Sequence, residues 1–114
     1  MSLERVLRIL KDFGLAKTDA EVYVYLAKKG PKRETDISAF FKMNEEQLYS
    51  SLNNLRSKGI VTVTLEKSAI FSAVAFERLL ELFVKANIEQ AHAISKTKKE
   101  ILAGWRAMTE QDGT

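Results

Sequence analysis

Residues 48–63 read Leu-Tyr-Ser-Ser-Leu-Asn-Asn-Leu-Arg-Ser-Lys-Gly-Ile-Val-Thr-Val. Leu48, Leu52 and Leu55 recur at helical spacing, so one stripe of this segment is apolar. The opposite face is expected to carry Ser50, Ser51, Asn54 and Lys58, small or hydrogen-bonding groups able to reach a base edge or a phosphate. Gly59 then stops the helix, because glycine enters the left-handed conformation at little cost. Two short β-rich runs follow, Ile60 to Leu65 and Ala69 to Val74, joined around Glu66-Lys67-Ser68. A helix running straight into a hairpin predicts the end of a winged helix-turn-helix.

Upstream, Leu3, Val6, Leu7, Leu10 and Phe13 predict a short amphipathic helix closed by Gly14. Thr18 followed by Glu21 has the form of a capping box opening a second helix. Ala20, Tyr23, Val24 and Ala27 line one face of that helix, Val22 and Leu26 widen it, and Gly30-Pro31 ends it. Lys32-Arg33-Glu34 can form a very short strand or turn. Thr35 or Asp36 is then expected to cap a helix carrying Ile37, Phe40 and Phe41. Met43-Asn44 makes the break, with Asn44 capping the helix that bears Leu48. Two helices so closely spaced match a helix-turn-helix.

Downstream, from Phe76 to about Met108, Gly104 is the sole helix breaker. The first part (Phe76, Leu79, Leu80, Phe83) has a wide apolar face. Later the pattern narrows to steps of four and three: Leu80, Val84, Asn87, Ala91, Ile94, Lys98, Ile101, Trp105, Met108. That is a heptad seam interrupted by Asn87 and Lys98. A helix of this extent is roughly 50 Å long, more than a small domain covers. Its far half needs another surface, and a second copy of the chain is the simplest supply. A polar residue at a buried seam position costs stability but favours one register or oligomer.

Composition bounds the function. The 114 residues suffice for one modest core, and 46% hydrophobic with 29% charged residues is ordinary for a globular protein. No stretch is long and apolar enough to cross a membrane, the start does not read as a signal peptide, and no cysteine is present. A cytoplasmic location without membrane partners is therefore expected. The net charge is +3 and the pI about 9.2. Residues 1–34 hold eight Lys/Arg against five acids, residues 35–74 four against four, and residues 75–114 six against six. All the surplus positive charge falls in the first third, and the expected reading head is neutral. A strong non-specific DNA binder would carry more.

The order of elements resembles the TrmB-like winged-helix regulators, best known from archaea. The resemblance rests on Leu10-Lys-Asp-Phe-Gly-Leu-Ala-Lys-Thr-Asp-Ala-Glu-Val-Tyr23 and Leu26-Ala-Lys-Lys-Gly30. It also rests on Leu48-Tyr49, Leu52, Leu55, Lys58-Gly-Ile-Val61, Phe71-Ser-Ala-Val74 and Phe76-Glu-Arg-Leu-Leu80. It covers about residues 3–83. MarR-like and ArsR-like regulators share the architecture. The sequence departs from the family where Asn44-Glu45-Glu46-Gln47 replaces small or basic residues. Many members continue into a sugar-binding effector domain, and this chain ends after the long helix, so sugar sensing is not carried over.

The expected architecture is mostly α (α+β), a winged helix-turn-helix over residues 1–74 with a helical dimerisation arm over 75–114. In the DNA-binding reading, the helix about 45–58 enters the major groove. Gln47, Ser50, Ser51 and Asn54 probe bases, while Arg56 and Lys58 approach phosphate. Lys32, Arg33, Thr35 and Lys42 flank the first helix of the motif, where phosphate clamps usually lie. Lys67 is the one basic wing residue, beside Glu66, so a minor-groove role is disfavoured. Val84, Asn87, Ala91, Ile94, Lys98, Ile101, Trp105 and Met108 form the dimer seam. The partners are then double-stranded DNA and a second copy of the chain.

Glu45 and Glu46 support an alternative, a winged helix that contacts another transcription-complex protein. Carboxylates there suit the helix N-terminus but repel phosphate. A dimer that also senses a small molecule between arm and head lacks any supporting polar cluster.

Phe13, Tyr23, Phe40, Phe41, Phe71, Phe76 and Phe83 are expected in the core, and Tyr49 packed with its hydroxyl at the edge. His92 stands alone, without cysteine or spaced carboxylates to hold a metal. No phosphate loop, nucleophile elbow, HExxH or paired acids suggest an enzyme, and no cofactor is called for.

Overall fold

The computed structural model describes residues 2–65 and 67–112. Five helices and three short strands follow one another as α1 (Leu3–Asp12), α2 (Lys17–Lys29), β1 (Lys32–Arg33), α3 (Glu34–Phe41), α4 (Glu45–Ser57), β2 (Val61–Leu65), β3 (Ala69–Ala73) and α5 (Phe76–Asp112). This is the expected mostly helical winged helix-turn-helix.

The punctuation of α4 is as read. Asn44 accepts from the Gln47 amide at 2.8 Å while Gln47 Oε1 accepts from the Asn44 amide at 3.4 Å, a reciprocal capping box. At the other end Gly59 has φ +76°, and the Ile60 amide donates back to Leu55 O at 3.0 Å. Two other caps differ from expectation. Helix α2 starts after Ala16 with no side-chain cap, so Thr18 lies inside the first turn and forms no capping box. Helix α3 is capped at Arg33, two or three residues before the expected cap at Thr35 or Asp36. Early pairing explains the second shift. β1 runs directly into α3, so the helix begins where the strand lets go, with Glu34 and Asp36 in the first turn favoured by the macrodipole.

The strands form one antiparallel sheet in the order β1-β3-β2. Val63 and Lys32 both pair with Phe71, whose ring is buried beneath the sheet. Glu66, at the β2–β3 turn, lies outside the described residues.

The core gathers Leu10 and Leu15 with Val22, Tyr23 and Leu26 of α2, Ile37 of α3, and Leu48, Leu52 and Leu55 of α4. Ile60, Val61, Phe71 and Leu79 close it. The Tyr23 hydroxyl donates to Val74 O at 2.7 Å, tying α2 to the end of the wing. Phe40 and Phe13 are corrections to the expected core, since both are exposed, Phe40 by 58%. Helix α3 is only eight residues long and buries Ile37 alone, so Phe40 turns outward and stacks on Tyr25, with ring centroids 4.3 Å apart. Phe41 meets both rings edge-on.

The chain forms two compact units, one up to Leu82 and one from Phe83 onward. The opening turns of α5, including buried Leu79, belong to the first. In the second unit Val84, Ile88, Ile94, Ile101, Leu102, Trp105 and Met108 are exposed.

Candidate nucleic-acid interface

Helix α4 buries Leu48, Ser51, Leu52 and Leu55. At 3.6 residues per turn, the side directly opposite this stripe carries Glu46, Ser50, Asn53 and Ser57, spaced four, three and four apart. Gln47, Asn54 and Lys58 instead form a flank between the buried and outward sides, between Ser50 on the outward side and Ser51 in the buried stripe. Asn53 was therefore missed by the sequence reading. Tyr49, expected to pack, is 66% exposed and is available for contact. The signal that could have found both was the 3.6-residue spacing measured from Leu48, Leu52 and Leu55.

These residues are divided by their partners. Ser50 and Gln47 are exposed, and together with Thr18, Asp19, Met43, Glu46 and Ser51 they line an open hollow of about 620 Å³. Ser51 is a correction to the expected exposed set, being only 4% exposed. Its hydroxyl donates to Asp19 Oδ1 at 2.6 Å, and Asn54 Nδ2 donates to Asp19 Oδ2 at 2.5 Å. Asp19 comes from the first turn of α2, thirty-two residues before Ser51. Among the described residues no buried side-chain polar atom lacks a hydrogen bond.

The basic groups sit around α4 on several elements. Lys42 and Lys58 are exposed and bracket its two ends, across a rise of about 20 Å for thirteen residues. Lys42 ends α3 in the left-handed region (φ 55°, ψ 39°), and Ser38 Oγ steadies that turn by donating to Met43 O at 2.9 Å. Arg33 is exposed at the start of α3, and Thr35 lies in its first turn, lining a hollow with Glu45. Lys32 is half-buried on β1, and Lys67 is exposed in the wing turn. Glu45 and Glu46 are exposed at the N-terminus of α4. The sole ion pair among the described residues, Arg78–Glu81 at 3.3 Å on α5, involves none of these groups.

No cluster of His, Cys, Asp and Glu able to hold a metal occurs among the described residues. No described helix is long and apolar enough to cross a membrane.

A capped helix bordered by lysines, preceded by a tight turn and followed by a β-hairpin, defines the winged helix-turn-helix of transcription regulators. Residues 10–77 match the family described as "Sugar-specific transcriptional regulator TrmB", and the chain belongs to that family. It is 28% identical over 98 residues to the HTH-type sugar sensing transcriptional regulator TrmBL1 of Pyrococcus furiosus. That match covers 86% of this chain and 29% of the relative, so the chain spans under a third of the regulator's length.

Among solved structures, TrmBL2, described as an archaeal chromatin protein with a novel mode of DNA binding, aligns with a TM-score of 0.78 at 21% identity. The alignment covers 97% of this chain and 43% of that one. A possible transcriptional regulator from Methanosarcina mazei aligns with a TM-score of 0.65 at 17% identity, covering 88% of each chain. These structural likenesses concern the fold. The curated relative is a transcriptional regulator rather than an enzyme.

Proposed function

We propose that the chain is a sequence-specific double-stranded DNA-binding regulator that acts as a homodimer, with α4 in the major groove. The observation that carries this reading is the side of α4 opposite its buried stripe. It presents Ser50, Asn53 and Ser57 to solvent on a helix held at both ends by its own caps. Ser50 and Asn53 reach base edges from the outward side and Gln47 from the flank, and Tyr49 reaches the sugar-phosphate chain from the other flank. Lys42, Lys58 and Arg33 contact phosphate around the helix, with Lys32 and Thr35 on the same side of the motif.

The dimer is supported by the second unit. Its exposed Val84, Ile94, Ile101, Trp105 and Met108 repeat at steps of three, four and seven or more on one seam, with Ala91, Asn87 and Lys98 filling the intervening positions. Pairing of two such seams buries apolar surface that otherwise meets water. Two reading heads then address half-sites about 34 Å apart, or a multiple of that.

Glu45 and Glu46 favour a second reading, in which the same surface meets a protein. Selection of bound duplexes from a random pool separates the two. Enrichment of an inverted repeat supports the DNA reading. A pool that stays random through successive rounds contradicts it and favours protein contact.

A further inference from the structure

Helices α2 and α4 pack on one another, and most of what they bury is apolar, Ala20, Val22, Tyr23 and Leu26 on α2 and Leu48, Leu52 and Leu55 on α4. Apolar burial by itself is non-directional. Asp19 supplies the direction. Its carboxylate is 6% exposed in the first turn of α2, where the helix dipole favours negative charge. It accepts both the Ser51 hydroxyl and the Asn54 amide, three residues apart on α4. Two bonds to an anionic acceptor are short and angle-dependent, and together they fix the rotation and the axial position of α4.

We infer that Asp19 is a positioning residue for base recognition. It locks α4 so that Ser50 and Asn53 face outward, and it takes Ser51 and Asn54 out of base readout. This inference rests on the DNA-binding reading above. It assigns Asn54, despite its exposure and its place on the flank, to holding the helix rather than reading a base.

The test compares binding to a duplex selected by the wild-type protein with binding to random duplex, at a temperature well below each variant's Tm. D19A should lower the selected-to-random affinity ratio by about tenfold, the size of one lost base discrimination, with the loss spread over the whole site. The salt dependence should not change, because Asp19 contacts no phosphate. D19N keeps a hydrogen-bonding group of the same size, and Asn54 can turn its amide to meet it, so most of the ratio should return. S51A/N54A removes the donors from the other side and should reproduce the D19A loss, which carries the test even if D19A does not fold.

A ratio unchanged in D19A and S51A/N54A overturns the positioning role while leaving DNA recognition intact. So does N54A relaxing one base-pair position alone, which marks Asn54 as a direct reader. A wild-type protein that prefers no duplex overturns the DNA reading itself, and this inference with it.

Discussion

Lys42 holds a left-handed backbone that costs an ordinary L-residue about 1–2 kcal/mol, at a turn where glycine is the usual occupant. On the proposed DNA-binding function, the charge of this exposed lysine, beside the N-terminus of α4, accounts for a lysine at such a position. K42G should therefore separate fold from function. Its unfolding free energy in urea denaturation should hold or rise, within about 1 kcal/mol, as backbone strain is relieved and chain entropy partly offsets the gain. Its affinity for duplex should fall. A variant that loses stability and keeps affinity would place the lysine's role in the fold.

Tyr23 is the corresponding residue of the core. Y23F removes the bond to Val74 O and should destabilise the protein by about 1 kcal/mol in chemical denaturation. Burial pushes the Tyr23 phenol above its ordinary value of 10.0. The folded chain thus keeps this proton at a pH where the unfolded chain has released it, and stability falls as pH climbs past 10 toward the raised value. The advantage of wild type over Y23F should shrink across that alkaline window and stay constant below it. An advantage that grows there contradicts the burial argument.

At the scale of elements, α5 is a helix in which residues 84–110 bury nothing within one chain. Val84, Ile94, Ile101 and Trp105 are all exposed, and Ile88 and Leu102 widen the apolar stripe beyond the expected seam. Helices in water draw most of their stability from packing such a face. I94E/I101E should yield monomers in sedimentation and lower the helical signal in circular dichroism, leaving the head folded. Asn87 tests the register within the seam. N87L should raise thermal stability and broaden the distribution of oligomer masses, whereas an unchanged dimer denies Asn87 any part in specificity.

What was readable in sequence at this scale was what neighbouring residues decide. Gly59, the Asn44 cap and the β2–β3 hairpin are local devices, and each was visible. The starts of α2 and α3 were not, because Thr18 and Thr35 are good caps that the chain bypasses, in α3 where β1 pairs with β3. Phe40 was misread because eight residues are too few for apolar spacing to distinguish a core face from a partner face. Ser51 eluded the reading for a different reason. Its acceptor, Asp19, is far away in sequence, and nothing near Ser51 announces a buried carboxylate.

Across the whole molecule, charge sets the terms of binding. The surplus of +3 comes from residues 1–34, while residues 35–74, which include α4, are neutral. Few phosphate contacts are then available. If each subunit of a dimer uses Arg33, Lys42 and Lys58, log K should fall against log salt with a slope of roughly five, at about 0.9 per contact. A slope near ten would require contacts well beyond these residues.

Fluorescence anisotropy of labelled duplex, titrated at low salt with wild type and with K42E/K58E, puts the α4 surface itself on trial. Binding by the wild type that K42E/K58E reduces at least tenfold, with its helical signal intact, is the expected result. Equal binding by both proteins, or none by either, contradicts a major-groove role for α4.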